Sequence, residues 1–487
     1  MKSLVLALAL AAISAAQHNP VLPGDYPDPS VMRVHREYWA TATTSQWAPI
    51  FPLLRSTDLR TWTTEGAIFQ LRPKWAETNF WAPELAEHNG KFFVYYTAKR
   101  REGPLCVAVA TAPKPIGPWT DHGPMVCQEV GSIDAVPFTA EDGVRYLIWK
   151  EDGNSKRLPT PIWAQRLSGD GLKLTGKPVE LIRNDQPWEG QLVEGPFFVK
   201  RGDWFYLFYS GAGCCGVKCD YAFGVARSRK LLGPYEKYKG NPLIQGNDQW
   251  KCPGHGSIVE AGDGKHYLLY HAYDAKDWVY VGRQGVLDEV TWNEDGWPSI
   301  NAGRGVSSKA PKPPRASEEW QWPFDRRGNL ALNKERIEIT AGQGSDLAEA
   351  VIARRPVTAD YVTTVRLDAQ SVTGSETAGL AAYGNHRNFA GVFVSGGKIR
   401  LERRENGQTA TLAEAPLPNG RHVELRMRAV EGRRFEFAYR RGSGSWQEIK
   451  PQLRGEHLPP WDLATRMALI AGGTPSASVR FEAFRVQ

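Results

Sequence analysis

Past its first sixteen residues the chain has no apolar run long enough to cross a bilayer, which takes about 20 residues in a helix. No cysteine follows Cys252, and the six cysteines contain no C-x-x-C pair, so Cys214, Cys215, Cys219 and Cys252 do not read as a zinc site. No block of lysine or arginine stands out, although 60 basic against 53 acidic residues leave a net charge of +7. A chain built to grip a phosphate backbone would cluster those charges, so nucleic acid is set aside. Gly211-Ala212-Gly213-Cys214-Cys215-Gly216 fits G-x-G-x-x-G but leads into the strand-like Tyr221-Ala222-Phe223-Gly224-Val225. A dinucleotide site needs a helix there and is rejected. Asp152-Gly153-Asn154 and Asn293-Glu294-Asp295-Gly296 lack the remaining positions of an EF-hand loop and read as turns.

What is present points to a β-rich globular chain. Of 487 residues, 41% are hydrophobic and 23% charged, enough apolar surface to bury a core and exclude disorder. Gly 48 and Pro 34 suit many short strands joined by turns. Residues 1–16 combine Lys2, an apolar stretch from Leu4 to Ile13 and small residues up to Ala16, the pattern of a cleavable secretory signal. A secreted or periplasmic protein follows, and in that compartment the cysteines are expected to be oxidised. Cys214 or Cys215 is expected to bridge to the Cys219–Cys252 region.

Five segments then share one plan: a short strand led by a polar residue, an aromatic strand behind a turn, and a third strand. The leaders Asp28, Glu84, Asp134, Glu194 and His255 are 56, 50, 60 and 61 residues apart. A repeat of roughly 50–60 residues with about four short strands is a propeller blade. The expectation is an all-β chain, a five-bladed β-propeller over 17–303 followed by a β-sandwich. The first strand of each blade lines the central channel, so the five leaders converge on one pocket. A single strand-end carboxylate is ordinary turn chemistry; four acids and a histidine in phase call for catalysis, a cation or both. Residues 304–317, rich in Pro, Lys and Ser, read as a linker. Residues 318–487 carry short alternating runs such as Val362-Thr363-Thr364-Val365-Arg366-Leu367 between turns such as Asn406-Gly407, a β-sandwich pattern.

Cleaving a glycosidic bond takes one carboxylic acid to protonate the leaving oxygen and one carboxylate opposite it. Asp28, fixed between Pro27 and Pro29, suits a base. Glu194, before Gly195-Pro196 and apolar Phe197-Phe198, is expected to favour its protonated form. Asp134 is a third carboxylate able to orient the acid. Trp47, Phe51, Trp75, Trp188 and Trp250 are candidates for a sugar platform, though propeller cores also consume aromatics.

The sequence resembles glycoside hydrolase family 43, the five-bladed propeller enzymes acting on xylosyl and arabinosyl linkages. The resemblance rests on Tyr26-Pro27-Asp28-Pro29-Ser30, Phe80-Trp81-Ala82-Pro83-Glu84-Leu85, Gly131-Ser132-Ile133-Asp134, Val193-Glu194-Gly195-Pro196 and Pro253-Gly254-His255-Gly256-Ser257. The C-terminal part resembles the concanavalin-like sandwich of the β-xylosidase-type members. The resemblance implies Asp28 as general base, Glu194 as general acid and Asp134 as pKa modulator, with inversion at the anomeric carbon. It implies substrate contacts from Trp81 and Arg283, and from His255 and Glu84, the latter on a sugar hydroxyl or in the axial water network. It implies no required cofactor, and at His255 a structural calcium on the propeller axis held through water. The substrate implied is plant cell-wall polysaccharide or its fragments, with arabinosyl or xylosyl units released and neither nucleic acid nor membrane as partner. Two other readings stand beside it: a retaining fructan-type propeller glycosidase, which would need an Asn-Asp-Pro-Asn-Gly style start, and a non-catalytic carbohydrate-binding propeller, which has no need of an acid–base pair.

Overall fold

The computed structural model describes residues 18–310, 319–333 and 335–487. The expected signal over 1–16 lies outside the described residues. Five four-stranded antiparallel sheets follow one another in chain order, each taking its strands consecutively apart from one short strand skipped in the first. Their innermost strands are Ser30–Val34, Ala76–His88, Ser132–Thr139, Val193–Arg201 and Trp250–Glu260. Each packs on the next, and the fifth returns to the first, which closes a five-bladed propeller. The closure is reinforced from outside the repeat: the amides of Val21 and Leu22 donate to the Gly285 carbonyl, and Tyr26 N to that of Arg283. This seam brings the chain just before Asp28 against the strand Arg283–Trp292.

The second strand of each blade reads as an almost continuous apolar run because both its faces are covered. In Trp204–Gly211, Tyr206 and Phe208 pack with Phe223, Trp250 and Leu268 toward blade five. Phe205, Leu207 and Tyr209 point the other way, onto Ile148, Ile162 and Phe198 toward blade three. A period of two therefore sends alternate residues into different inter-blade cores. Blade two repeats the device, with Phe92, Val94 and Tyr96 facing blade one and Phe93 and Tyr95 facing blade three. The hairpin into that strand turns at Asn89-Gly90, both at positive φ (53° and 74°), as a tight two-residue turn requires.

The sandwich packs a seven-stranded sheet against a six-stranded one. It is not a loosely tethered tail. Trp322–Pro323 pairs antiparallel with Trp47–Ala48 of the propeller, Phe324 packs edge-on against Phe80 at 5.3 Å, and one apolar cluster runs through both units. The expected linker over 304–317 differs at its start: Val306 is buried, Ser307 N donates to Asp288, and Ala310 N donates to the Asn19 carbonyl. The rest of that stretch, from residue 311, lies outside the described residues. Among the described residues no helix is long and apolar enough to cross a membrane.

Candidate active site

The polar leaders reach the axis through a common backbone irregularity. The inner strands of blades two to five each break register where the leader sits, at Trp81/Glu84, Ile133/Val136, Glu194/Phe197 and Lys251/Gly254/Gly256. Positive φ accompanies each break, at Ala82 (42°), Asp134 (58°), Gly195 (56°) and His255 (44°), and Asp28 has 50° just ahead of its strand. A bulge re-aims the side chain it carries, and each non-glycine residue held in this region costs about 1–3 kcal/mol. Gly195 is required for a second reason: a Cβ there would lie 3.0 Å from the His255 ring.

Asp28, Asp134, Glu194, His255, Trp81 and Arg283 line one cavity of about 370 Å³ at one end of the channel. The Asp28 Oδ1 accepts from Arg283 Nη1 at 2.8 Å, and Oδ2 from Thr43 Oγ1 at 2.7 Å. His271 Nδ1 stands 3.1 Å from the Asp28 amide and 3.2 Å from Oδ1, and His255 Nδ1 lies 3.6 Å from Oδ1. Burial alone would raise the Asp28 carboxyl, but Arg283 and the two histidines outweigh it and hold it well below the usual carboxylate range. Burial and Arg283 press His271 down to about 4, so it is neutral near pH 7.

Glu194 is placed differently. Its Oε2 accepts from Lys150 Nζ at 2.7 Å and its Oε1 from the Tyr221 hydroxyl at 2.9 Å. Lys150, with only 1% of its side chain exposed, also reaches Asp152 at 2.9 Å. The Asp134 Oδ2 accepts from the amide of Gly195, one residue past Glu194, at 3.0 Å, and lies 3.9 Å from His255 Nδ1. Desolvation, reinforced by Glu194, raises Asp134 to about 7 despite the opposing His255. Glu194 is lowered, because Lys150 and the Tyr221 hydroxyl overcome its burial. This corrects the expectation that apolar surroundings keep the proton on Glu194. Past the bulge, Phe197 and Phe198 pack into inter-blade cores, while a buried ammonium faces the carboxylate. Two buried carboxylates that repel each other cannot both ionise cheaply, and the one without a hydrogen-bonded ammonium keeps the proton.

Several expected members lie elsewhere. Glu84 does not line this cavity; it sits deeper on the axis against Ser257 (3.5 Å) and lines the opposite mouth of the channel. Desolvation raises it to about 8. Trp47, Phe51 and Trp250 are fully buried in cores rather than forming a sugar platform. Trp75 bonds Asp121 at 3.1 Å, and Trp188 packs on Tyr209 at 5.5 Å. The cysteines are all paired, but as Cys106–Cys127, Cys214–Cys215 and Cys219–Cys252. The expected bridge from Cys214 or Cys215 to the Cys219–Cys252 region is thus replaced by a bond between neighbours, because Cys219 and Cys252, 5.9 Å apart at Cα, already satisfy each other. The calcium expected at His255 is not supported. Calcium takes about six to eight oxygen ligands, the His255 Nδ1 is turned to two carboxylates, and among the described residues no group of three or more His, Cys, Asp or Glu is arranged to hold a metal ion.

Sequence reasoning missed the groups that complete the site. Lys150 follows the apolar run Tyr146-Leu147-Ile148-Trp149 in the strand Arg145–Glu151 and is itself buried, a departure from pattern that could have flagged it. Trp461 and Asp462 come from a sandwich loop with no signal of its own. Trp461 is 61% exposed and meets Trp81 edge-on at 5.7 Å. Asp462 Oδ2 accepts from Trp81 Nε1 at 3.2 Å, and its carbonyl from Arg283 Nη2 at 3.1 Å. Buried Asp25 locks this loop down, accepting from Ala464 N at 3.0 Å and standing 3.6 Å from Arg466. The sandwich therefore supplies one wall of the cavity.

The chain matches the model of glycosyl hydrolases family 43 over residues 17–298, and that of the beta xylosidase C-terminal concanavalin A-like domain over 313–460. A xylosidase/arabinosidase of Butyrivibrio fibrisolvens is 30% identical over 307 residues, covering 59% of this chain and 57% of that protein. Xylosidase/arabinosidase 43B of Humicola insolens is 26% identical over 488 residues, covering 89% of each. Among solved structures, the GH43 protein BlXynB of Bacillus licheniformis superposes with a TM-score of 0.83 at 23% identity, over 97% of this chain and 99% of that one, a likeness of fold.

Proposed function

Because the chain belongs to glycosyl hydrolases family 43, we propose that it is a secreted, inverting exo-hydrolase releasing single arabinosyl or xylosyl units from plant hemicellulose, pectin side chains or their oligosaccharides. It is a glycoside hydrolase of the xylosidase/arabinosidase type; sugar, stereochemistry and export are the proposed part. One observation carries the assignment of roles: a single cavity joins a carboxylate held ionised to a carboxyl pair that retains a proton. Asp28 is the general base that deprotonates water. Glu194 is the general acid at the leaving oxygen. Asp134, tied to the backbone beside Glu194, is the reservoir and modulator of that proton.

For Glu194 to donate, the shared proton must sit on it rather than on Asp134. Lys150 opposes this, and a sugar oxygen arriving at Glu194 favours it by offering an acceptor. The pair then titrates as a unit, near neutral pH. Arg283, whose guanidinium is fixed by Asp28 and the Asp462 carbonyl, faces the sugar bound beside the base. The wall formed by Trp461 and Asp462 supports exo action, because a closed side leaves room for a chain end and not for a chain passing through. The test is a screen of nitrophenyl arabinofuranoside, xyloside and galactoside, followed by proton NMR of the first product before mutarotation. Inverted product is expected; retained product would make Asp28 a nucleophile.

A further inference from the structure

The cavity has two unlike sides. Asp28, Trp81, Arg283 and Asp462 make one. The other comes from the two blades that bear Asp134 and Glu194, and includes Asn154, Leu192, Cys214 and Cys215. Cys214 and Cys215, adjacent in sequence, are bonded to each other, so they present one small apolar surface of two sulfurs. Sulfur is polarizable and makes only weak hydrogen bonds, so this wall solvates a sugar hydroxyl poorly and a C–H face well. The loop carrying it cannot swing. Ala212 N donates to the Glu189 carbonyl at 2.8 Å, Gly213 N to Asp220 Oδ1 at 2.7 Å and Gly216 N to the Tyr273 hydroxyl at 3.3 Å, and Cys219 is bonded to Cys252.

Two further observations point to an occupant. Asn154 Oδ1 is buried without a hydrogen-bond partner, an acceptor that a hydroxyl would satisfy. Among the described residues two exposed large apolar side chains lie close by: Val217 (66%), two residues from Cys215, and Trp461 (61%), which lines the cavity from the sandwich wall and whose backbone carbonyl stands beside Gly216 of the disulfide loop. An apolar patch of Leu192 and the two sulfurs beside a few convergent polar groups, here Asn154 with the carboxyls of Asp134 and Glu194, is how small-molecule sites are built.

We propose that the Cys214–Cys215 disulfide, with Leu192 and Asn154, forms the subsite for the leaving sugar and so gives the enzyme its preference for saccharide over ring-less leaving groups. The inference rests on the reading of Glu194 as the general acid. The acid must face the departing oxygen, so the group attached to that oxygen leaves across the surface of blades three and four. The ligand class is a pentose-containing oligosaccharide, its C–H face on the sulfurs and a hydroxyl on Asn154.

The experiment compares wild type with a Cys214→Ala, Cys215→Ala double variant and, separately, Asn154→Ala. Substrates are the pentosyl fluoride, whose leaving atom has no ring, and the corresponding pentosyl disaccharide and trisaccharide. In the double variant, kcat/KM on the oligosaccharides should fall at least tenfold further than on the fluoride, mainly through KM. Asn154→Ala, which leaves the disulfide loop intact, should show a smaller differential of about threefold or more, and it decides the matter if the double variant does not fold. Equal losses on both substrate types, or none on either, would overturn the proposal by making the disulfide a loop staple alone. Wild type inactive on fluoride and oligosaccharide alike would instead refute the hydrolase reading beneath it, and the subsite with it.

Discussion

Replacing Lys150 by methionine tests how the site manages its proton. The Lys150 ammonium is buried, 2.7 Å from Glu194 and 2.9 Å from Asp152. A hydrogen bond to a charged group contributes about 1.5–3 kcal/mol net, and one pKa unit is about 1.4 kcal/mol, so losing it should raise Glu194 by about 1–2 units. A general acid works protonated, and its ionisation sets the alkaline limb of kcat/KM against pH. In wild type that limb should fall near neutrality, where Asp134 titrates at about 7. In Lys150→Met it should move upward by about 1–2 units. The acidic limb, set by Asp28 far below the usual range, should stay where it is. Stability should respond with the same logic. The folded pKa of Lys150 is raised above 10.5, so its own titration adds no pH dependence to stability below that, and the ion pair holds wherever Glu194 is ionised. In the variant, Glu194 ionises without its cation as pH rises through its raised folded pKa, so the Tm deficit should be larger at pH 8 than at pH 5. Leaving a buried charge unpaired typically costs about 3–5 kcal/mol. The assay is a pH profile on a disaccharide, which needs leaving-group protonation, with thermal melts at both pH values. An alkaline limb that stays put or moves down would refute the assignment of Glu194 and Lys150 as acid and tuning cation.

The other predictions concern separate parts of the molecule. Asp28→Asn should lose activity on every substrate, nitrophenyl glycosides included, because water must still be activated; Glu194→Gln should lose about 10²–10⁴-fold on disaccharides and far less on nitrophenyl glycosides, and matched losses in steady-state kinetics would deny them distinct roles. Asp25→Ala should lower unfolding stability by about 3 kcal/mol, since Arg466, 1% exposed, loses its carboxylate and the Trp461–Asp462 loop its anchor; denaturant melts unchanged from wild type would show that the latch is dispensable. Glu84→Gln should keep near-wild-type kcat/KM at pH 6, because Glu84, raised to about 8, is already neutral there and lies outside the cavity. Its wild-type burden grows as pH climbs from about 4.5 to 8, so the variant should gain relative stability at pH 8, visible as a Tm difference that widens with pH.

The sequence by itself determined the blades and their phase. Asp28, Glu84, Asp134, Glu194 and His255 lead repeats of near-constant length, and aromatic runs such as Phe205-Tyr206-Leu207-Phe208 need cover on both faces, which a ring of sheets provides. Period and composition are local properties, so they are legible in one dimension. The direction each leader finally points was not. Glu84 has the same rank in its blade as Asp134, yet it lies outside the cavity, because depth along the axis depends on where each bulge falls in three dimensions. Where the proton sits was decided by Lys150, which the fold sets against Glu194 from a neighbouring blade, since electrostatics follow distance through space and not along the chain. Trp461 and Asp462 lie more than 260 residues from Glu194 in sequence, and only the docking of the sandwich through Asp25, Arg466 and the Trp322–Pro323 strand puts them in the wall of the cavity.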